Sequence, residues 1–291
     1  MISIRSVATM EYLPRLILSS AFLFLSLIGF AQQSINGTVN TSDNKELSYV
    51  NIGIVGTTTG TVSDDHGKFT LYLNAVPKAT DTLRFSRIGY KSQSFALVEI
   101  SEELNVLLEE EAFELDEIVV KPKFSNTKVS GRTKVKGKMH VNFSIAKKPR
   151  QNLGSEIGKK FKVRRKRTTQ VEVLRFYIKN NNFSSAKFRV QFYSVKRGKP
   201  HKLLSDRDII VNVNDKKTGW VEVDLRDYEV LTKKNFIATL QWIDASSDGT
   251  NLAMPINLPV IGSHHYYKFG AQAKWKHFRN MSATMNVTLA Y

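Results

Sequence analysis

The stretch that decides the fold runs Ile35-Asn36-Gly37-Thr38-Val39, Val50-Asn51-Ile52, Gly56-Thr57-Thr58-Thr59-Gly60-Thr61, Asp65-His66-Gly67-Lys68-Phe69 and Phe85-Ser86-Arg87-Ile88-Gly89-Tyr90. Within it Val50, Ile52 and Ile54 share one face of a strand. Phe69, Leu71 and Leu73 share another, with Thr70 and Tyr72 turned away. A period of two is the strand signature, because successive side chains leave opposite faces of the backbone. Turn residues separate the runs, at Thr57-Thr58-Thr59-Gly60 and at Asp64-Asp65-His66-Gly67, where Gly67 is suited to a positive φ. Thr82-Leu83-Arg84-Phe85-Ser86 and Ser94-Phe95-Ala96-Leu97-Val98 read as further strands. Short strands at this spacing predict a small β-sandwich.

Alternation returns toward the C-terminus. Leu174, Phe176 and Ile178 alternate with Arg175 and Tyr177. Phe188, Val190 and Phe192 alternate with Arg189 and Gln191, and Val221, Val223 and Leu225 with Glu222 and Asp224. Phe236, Ala238, Leu240 and Trp242 continue the pattern, which places Trp242 in a core. Met285 to Tyr291 reads as a closing strand. A second, jelly-roll-like β-sandwich is the expectation, so the fold class is all-β.

Charge divides the 291 residues. Lys+Arg 43 against Asp+Glu 26 gives a net +17. Residues 34–118 carry 6 basic and 14 acidic residues, whereas residues 119–170 carry 17 basic and 1 acidic. Between them, residues 121–150 hold no acidic residue and are interrupted by Pro122, Gly131, Gly137 and Pro149. Such a self-repelling run predicts an extended linker between two sandwiches that fold separately. Residues 1–31 read as a signal peptide: Arg5 and Arg15, then an apolar run from Leu16 to Phe30, then small residues at Gly29 and Ala31. The expected division is a signal peptide at 1–31, an acidic β-sandwich at 34–120, a basic linker at 121–150 and a second sandwich at 151–291.

The ordered motifs from Ile35 to Tyr90 resemble the carboxypeptidase regulatory-like domain. That resemblance implies a seven-stranded, transthyretin-like sandwich that serves as an accessory module and carries no catalysis itself. Glu114-Leu115-Asp116-Glu117-Ile118-Val119-Val120 resembles the segment that follows this module in TonB-dependent outer-membrane transporters. The 171 residues after Val120 are expected to be too few for the 22-stranded barrel of such transporters. The segment is therefore expected to close the sandwich. Gly154-Ser155-Glu156-Ile157-Gly158, Phe188-Arg189-Val190 and Gly219-Trp220-Val221-Glu222-Val223-Asp224-Leu225 loosely resemble jelly-roll accessory and carbohydrate-binding-like domains.

Reactive constellations are missing from the sequence. Cys is 0, which excludes a thiolate nucleophile and a zinc ribbon. None of the six histidines begins His-x-x-Glu or His-Glu-x-x-His, and no Gly-x-Ser-x-Gly elbow or phosphate loop occurs. No catalytic residue, metal or cofactor is expected, and the chain is read as a non-enzyme. His264 and His265 are strand neighbours, so they point to opposite faces and are poorly placed to share a metal.

Two candidate binding sets remain. Lys160, Lys162, Arg164 and Lys166 fall on one face of a strand and form a row suited to phosphates or uronates. The competing reading of that row, and the favoured one, is an edge strand guarded by lysine against aggregation. Trp220 shares a face with Glu222 and Asp224, as in sugar sites where a ring stacks on C–H groups and carboxylates take hydroxyls; a Trp covering the end of the sandwich is the plainer reading and the favoured one. The functional expectation is a secreted, non-enzymatic accessory or interaction protein of the cell envelope, in the periplasm or on the outer membrane. The alternative is a carbohydrate-binding protein. Expected partners are an envelope protein, an anionic glycan or lipopolysaccharide, with no nucleic acid and a peripheral rather than spanning relation to the membrane.

Overall fold

Seven strands follow the alternation in the first part of the chain: β1 (Ser34–Thr41), β2 (Asn51–Ile54), β3 (Gly60–Val62), β4 (Lys68–Tyr72), β5 (Thr82–Ser86), β6 (Gln93–Ala96) and β7 (Glu103–Leu108). A computed structural model describes residues 34–73, 75–100, 103–111, 123–135, 137–144, 148–163 and 167–291. The expected signal peptide, the segment from Glu114 to Val120, and Arg164 and Lys166 lie outside the described residues. Ser34–Tyr291 forms one compact unit.

A three-stranded sheet in the order β4-β1-β7 packs on a four-stranded sheet in the order β3-β2-β5-β6. Ile35, Val39, Val50, Ile52, Phe69, Leu71, Leu83, Phe85, Val106 and Leu108 fill the space between them. These are the alternating residues of the sequence, and their removal from water drives this layer together. Gly67 has φ +73°, and a Cβ there would lie 2.4 Å from the Val39 carbonyl oxygen. Only glycine fits that turn.

Sixteen strands follow: β8 (Thr127–Gly131), β9 (His140–Asn142), β10 (Glu156–Phe161), β11 (Thr169–Ile178), β12 (Asn180–Asn181), β13 (Ser185–Lys196), β14 (Lys199–Leu203), β15 (Ile209–Asn214), β16 (Gly219–Asp224), β17 (Leu231–Thr232), β18 (Phe236–Ala245), β19 (Leu252–Asn257), β20 (His264–Lys268), β21 (Lys276–Arg279), β22 (Ser282–Ala283) and β23 (Met285–Ala290). One sheet runs β14-β13-β18-β10-β20-β21, with β15 also on β13. The opposing layer contains β16-β11-β23-β8 and β12-β19-β22. Phe176, Phe188, Phe192, Phe236, Leu240 and Trp242 are all within the buried core between the layers. The all-β class and the inward Trp242 agree with the alternation. Every element longer than three residues among the described residues is a strand.

The segment read as a linker is not a free tether where it is described. Thr127–Gly131 pairs antiparallel with β23, and His140–Asn142 with β19. Phe143 enters the core, edge-to-face with Phe188 at 5.1 Å. The physical reason is that β8 needs only its backbone: four of its five residues are exposed, so Lys128 stays hydrated while its peptide groups pair. β8 forms the end of its sheet. The lysine-guarded edge expected for the row at Lys160 is therefore found here instead. Lys160 itself lies on β10, which is paired on both sides, by β18 and β20.

Candidate functional site

The outer face of the β10/β13/β18/β20 sheet is largely polar, with Ile237 the apolar residue opposite Lys160, and its two halves differ. On β10 the outward residues are Glu156, Gly158 and Lys160. Glu156 faces Gln241 and Lys268 across the ladder, and Lys160 faces Ile237.

The half around Arg189 and Gln241 is covered by the first sandwich. Arg189 is completely buried. Its Nε donates to Asp208 Oδ1 at 2.5 Å and its Nη2 to Asp208 Oδ2 at 3.0 Å. Nη2 also donates to the Tyr49 carbonyl at 2.8 Å, and Nη1 to Gln241 Oε1 at 3.2 Å. Gln241 Nε2 in turn donates to Asn51 Oδ1 at 2.9 Å. Lys187 Nζ bonds the Tyr49 hydroxyl at 2.7 Å and pairs with Asp244 at 3.1 Å. Those partners hold the Lys187 ammonium above its ordinary range, outweighing the burial that opposes it. Arg87 reaches Asp208 at 3.7 Å, and Gln272 Nε2 donates to Ser86 Oγ at 2.8 Å. Glu156, wholly buried, pairs with Lys268 at 2.8 Å and accepts from Thr239 Oγ1. Burial, then the Glu156 carboxylate, keeps the neighbouring Tyr193 hydroxyl protonated well beyond its usual range. A buried charge must be paired to be tolerated: here Arg189, Lys187 and Glu156 find their ionic partners within the second sandwich, and Arg87–Asp208 with the hydrogen bonds to Tyr49, Asn51 and Ser86 crosses the seam.

The half around Lys160 is open. His264 on β20 and His277 on β21 meet across the hairpin, with His264 Nδ1 2.8 Å from His277 Nε2. Their rings stack at 5.0 Å, and Tyr266 stacks on His277 at 4.8 Å and 7°. The Tyr266 hydroxyl donates to the Gly198 carbonyl at 2.7 Å. Burial first, then Lys160, His277, Arg279 and Lys162, pushes the His264 imidazole below its ordinary pKa. Burial, Arg279, Lys160 and Lys199 do the same to His277. Lys160, Lys162, Lys199 and Arg279 thus act on one histidine pair, and the ladder agrees: Arg279 opposes His264 in the hairpin, and Lys160 lies on β10 beside β20. Beside it a cleft of about 310 Å³ is lined by Lys160, Val163, Val195, Lys233, Lys234 and Asn235, with no carboxylate.

The sequence-derived sets fare differently. Lys160 is half-buried and Lys162 exposed, and both act on the open half. Lys162 follows the end of β10, so the row is not one continuous strand face. Trp220, Glu222 and Asp224 do share the outer face of β16, which ends the opposing layer. Trp220 is half-buried and edge-to-face with Tyr177 at 5.4 Å. Glu222 accepts from Arg175 Nε at 2.6 Å, and Asp224 from Arg226 Nη1 at 2.9 Å, so both carboxylates are engaged within the chain. His265 turns inward, as adjacent strand positions require, and burial holds it near pKa 4. Among the described residues no group of three or more His, Cys, Asp or Glu is placed to hold a metal ion.

Sequence reasoning missed the seam and the histidine pair. The signal for the pair was hairpin register: His264 opposes Arg279, and His277 opposes Tyr266, one pleat along. The signal for the seam was an uncharged polar face, Gln191, Thr239 and Gln241, beside a lone arginine.

Comparisons with known proteins bear on the first sandwich. The TonB-dependent receptor SusC of Bacteroides thetaiotaomicron is 35% identical over 106 residues, covering 36% of this chain and 10% of that protein. The TonB-dependent receptor P3 of Formosa agariphila is 36% identical over 107 residues, covering 35% of this chain and 10% of that protein. The chain thus matches about a tenth of the length of these relatives. Among solved structures, the cysteine protease and lectin-like domains of Cwp84 from Clostridium difficile align at TM-score 0.42 and 10% identity, over 84% of this chain and 58% of that one. A streptococcal ancillary pilin aligns at TM-score 0.22, and neither likeness is close enough to carry an argument. Residues 35–120 match the family described as CarboxypepD_reg-like domain, so the first sandwich is a module of that family, homologous to the N-terminal region of TonB-dependent receptors.

Proposed function

We propose that the chain is a non-enzymatic binding protein of the bacterial envelope that holds an acidic polysaccharide on the open, cationic half of the β10/β20/β21 face. The observation that carries this reading is the division of one sheet face. Where the module covers it, each charge is matched. Where it is open, Lys160, Lys162, Lys199 and Arg279 gather with no ion pair among the described residues. Exposed charges act only over about 8 Å at physiological salt, so this local gathering matters more than the net +17. An envelope address draws support from the homologous TonB-dependent receptors and from the reading of residues 1–31 as a signal peptide. The lack of His-x-x-Glu, His-Glu-x-x-His and Gly-x-Ser-x-Gly motifs in the sequence fits a non-enzymatic role.

Binding of polygalacturonate to the full chain tests this reading. Affinity should fall steeply as sodium chloride is raised. K162E/R279E, which alters two exposed side chains, should weaken it about tenfold or more with an unchanged unfolding transition. Salt-independent binding, or a variant that binds as the parent does, would refute the reading.

A second reading has its own observation. The Trp220–Tyr177 pair lies half-exposed on the outer face of β16 and β11, beside the Arg175–Thr288 contact at 3.1 Å. Such a ring pair suits an uncharged sugar face. A glycan array separates the two, since this surface selects neutral sugars and the cationic half selects charged ones.

A further inference from the structure

We propose that the His264–His277 pair is a proton-loaded donor for the oxyanions of that polysaccharide, a step that rests on the anion-binding reading above.

The chemistry follows from the 2.8 Å contact between His264 Nδ1 and His277 Nε2. Two imidazoles at this distance share one proton, one nitrogen donating and the other accepting. In the neutral pair the donating ring keeps its second nitrogen bare. One further proton fills that nitrogen and leaves the shared hydrogen bond intact. The pair then presents N–H groups at both His264 Nε2 and His277 Nδ1, and no acceptor. Neither of these nitrogens has a partner among the described residues.

The surroundings set when that proton arrives. Lys160 comes from β10 and Lys162 from the segment after it; Arg279 lies on β21 and Lys199 on β14. Tyr266 on β20 is a neutral stacking partner, its hydroxyl held on Gly198. Each charged group acting on the rings is cationic, and burial adds to their effect, so both imidazoles sit below the ordinary value. The free pair is therefore neutral at pH 7. A bound oxyanion reverses this balance, because it favours the imidazolium and offsets the neighbouring cations. Binding and protonation are then linked: the complex takes up a proton, and affinity rises as pH falls toward the pKa of the free pair.

Dextran sulfate is the probe, since its sulfates keep their charge and leave the protein as the titrating partner. Calorimetric titration of the full chain at about pH 7.5 and about pH 5.5, in buffers of different ionisation enthalpy, reads affinity and proton uptake together. Affinity should rise about tenfold at the lower pH, with uptake of about one proton per site. H264Q/H277Q should lose both the rise and the uptake, whereas His66→Gln, on the other sandwich, should keep them. If the double variant unfolds, His277→Gln alone, at an exposed position, gives the same comparison. A pH-independent affinity, or a rise that survives H264Q/H277Q, would overturn the proposal. Absence of binding at both pH values would instead remove the anion-binding reading, and this step with it.

Discussion

Two halves of one sheet face carry similar side chains and meet opposite fates. Around Arg189 the face is roofed by the CarboxypepD_reg-like module, and each arginine, lysine and carboxylate there finds a partner. Around Lys160 the same sheet is open, and its cations stand among themselves. Burial forces pairing, because an unmatched charge in a dry seam costs several kcal/mol, whereas a hydrated one costs little. The comparison teaches that polarity on a strand face does not tell a joint from a binding surface. What covers the face does.

That contrast can be broken by mutation. Arg189→Ala leaves Asp208 with only the 3.7 Å contact to Arg87, and the Tyr49 carbonyl and Gln241 short of a donor. It should cost about 3–5 kcal/mol in denaturant unfolding. A loss below about 1 kcal/mol would mean that water, not the arginine, satisfies the seam. On the open half, Arg279→Ala removes a charge that has no ion-pair partner among the described residues. Its unfolding free energy should stay within about 0.5 kcal/mol of the parent. A larger loss would show that the open half is structural rather than available to a ligand.

Much of the fold is legible in residue order. Phe69 and Leu71 alternate with exposed Thr70 and Tyr72, and Gly67 takes the left-handed turn its position suggests. Trp242 is inward because it shares parity with Leu240 and Ala238. The joints are far less legible. Arg189 alternates with core residues as any exposed arginine would, and its partners, Tyr49 and Asp208, lie 140 and 19 positions away. Nothing local marks that face as buried. The basic segment misleads for a related reason: lysine-rich composition argues against a core, but an edge strand such as β8 needs only backbone pairing. The candidate site is half legible. Lys160 and Lys162 stand out as a charge run, whereas His264 and His277 belong together only once β20 and β21 are paired in register.

The central claim is that the seam makes two sandwiches into one body and leaves a single cationic half exposed. Differential scanning calorimetry of the full chain tests it most directly, because a cooperative unit has equal calorimetric and van't Hoff enthalpies. A seam built on Arg189, Lys187, Gln241 and Gln272 predicts one transition with a ratio of about one. Two resolved transitions, each with its own enthalpy, would show instead that the sandwiches unfold independently and that the covered half of the sheet is no joint.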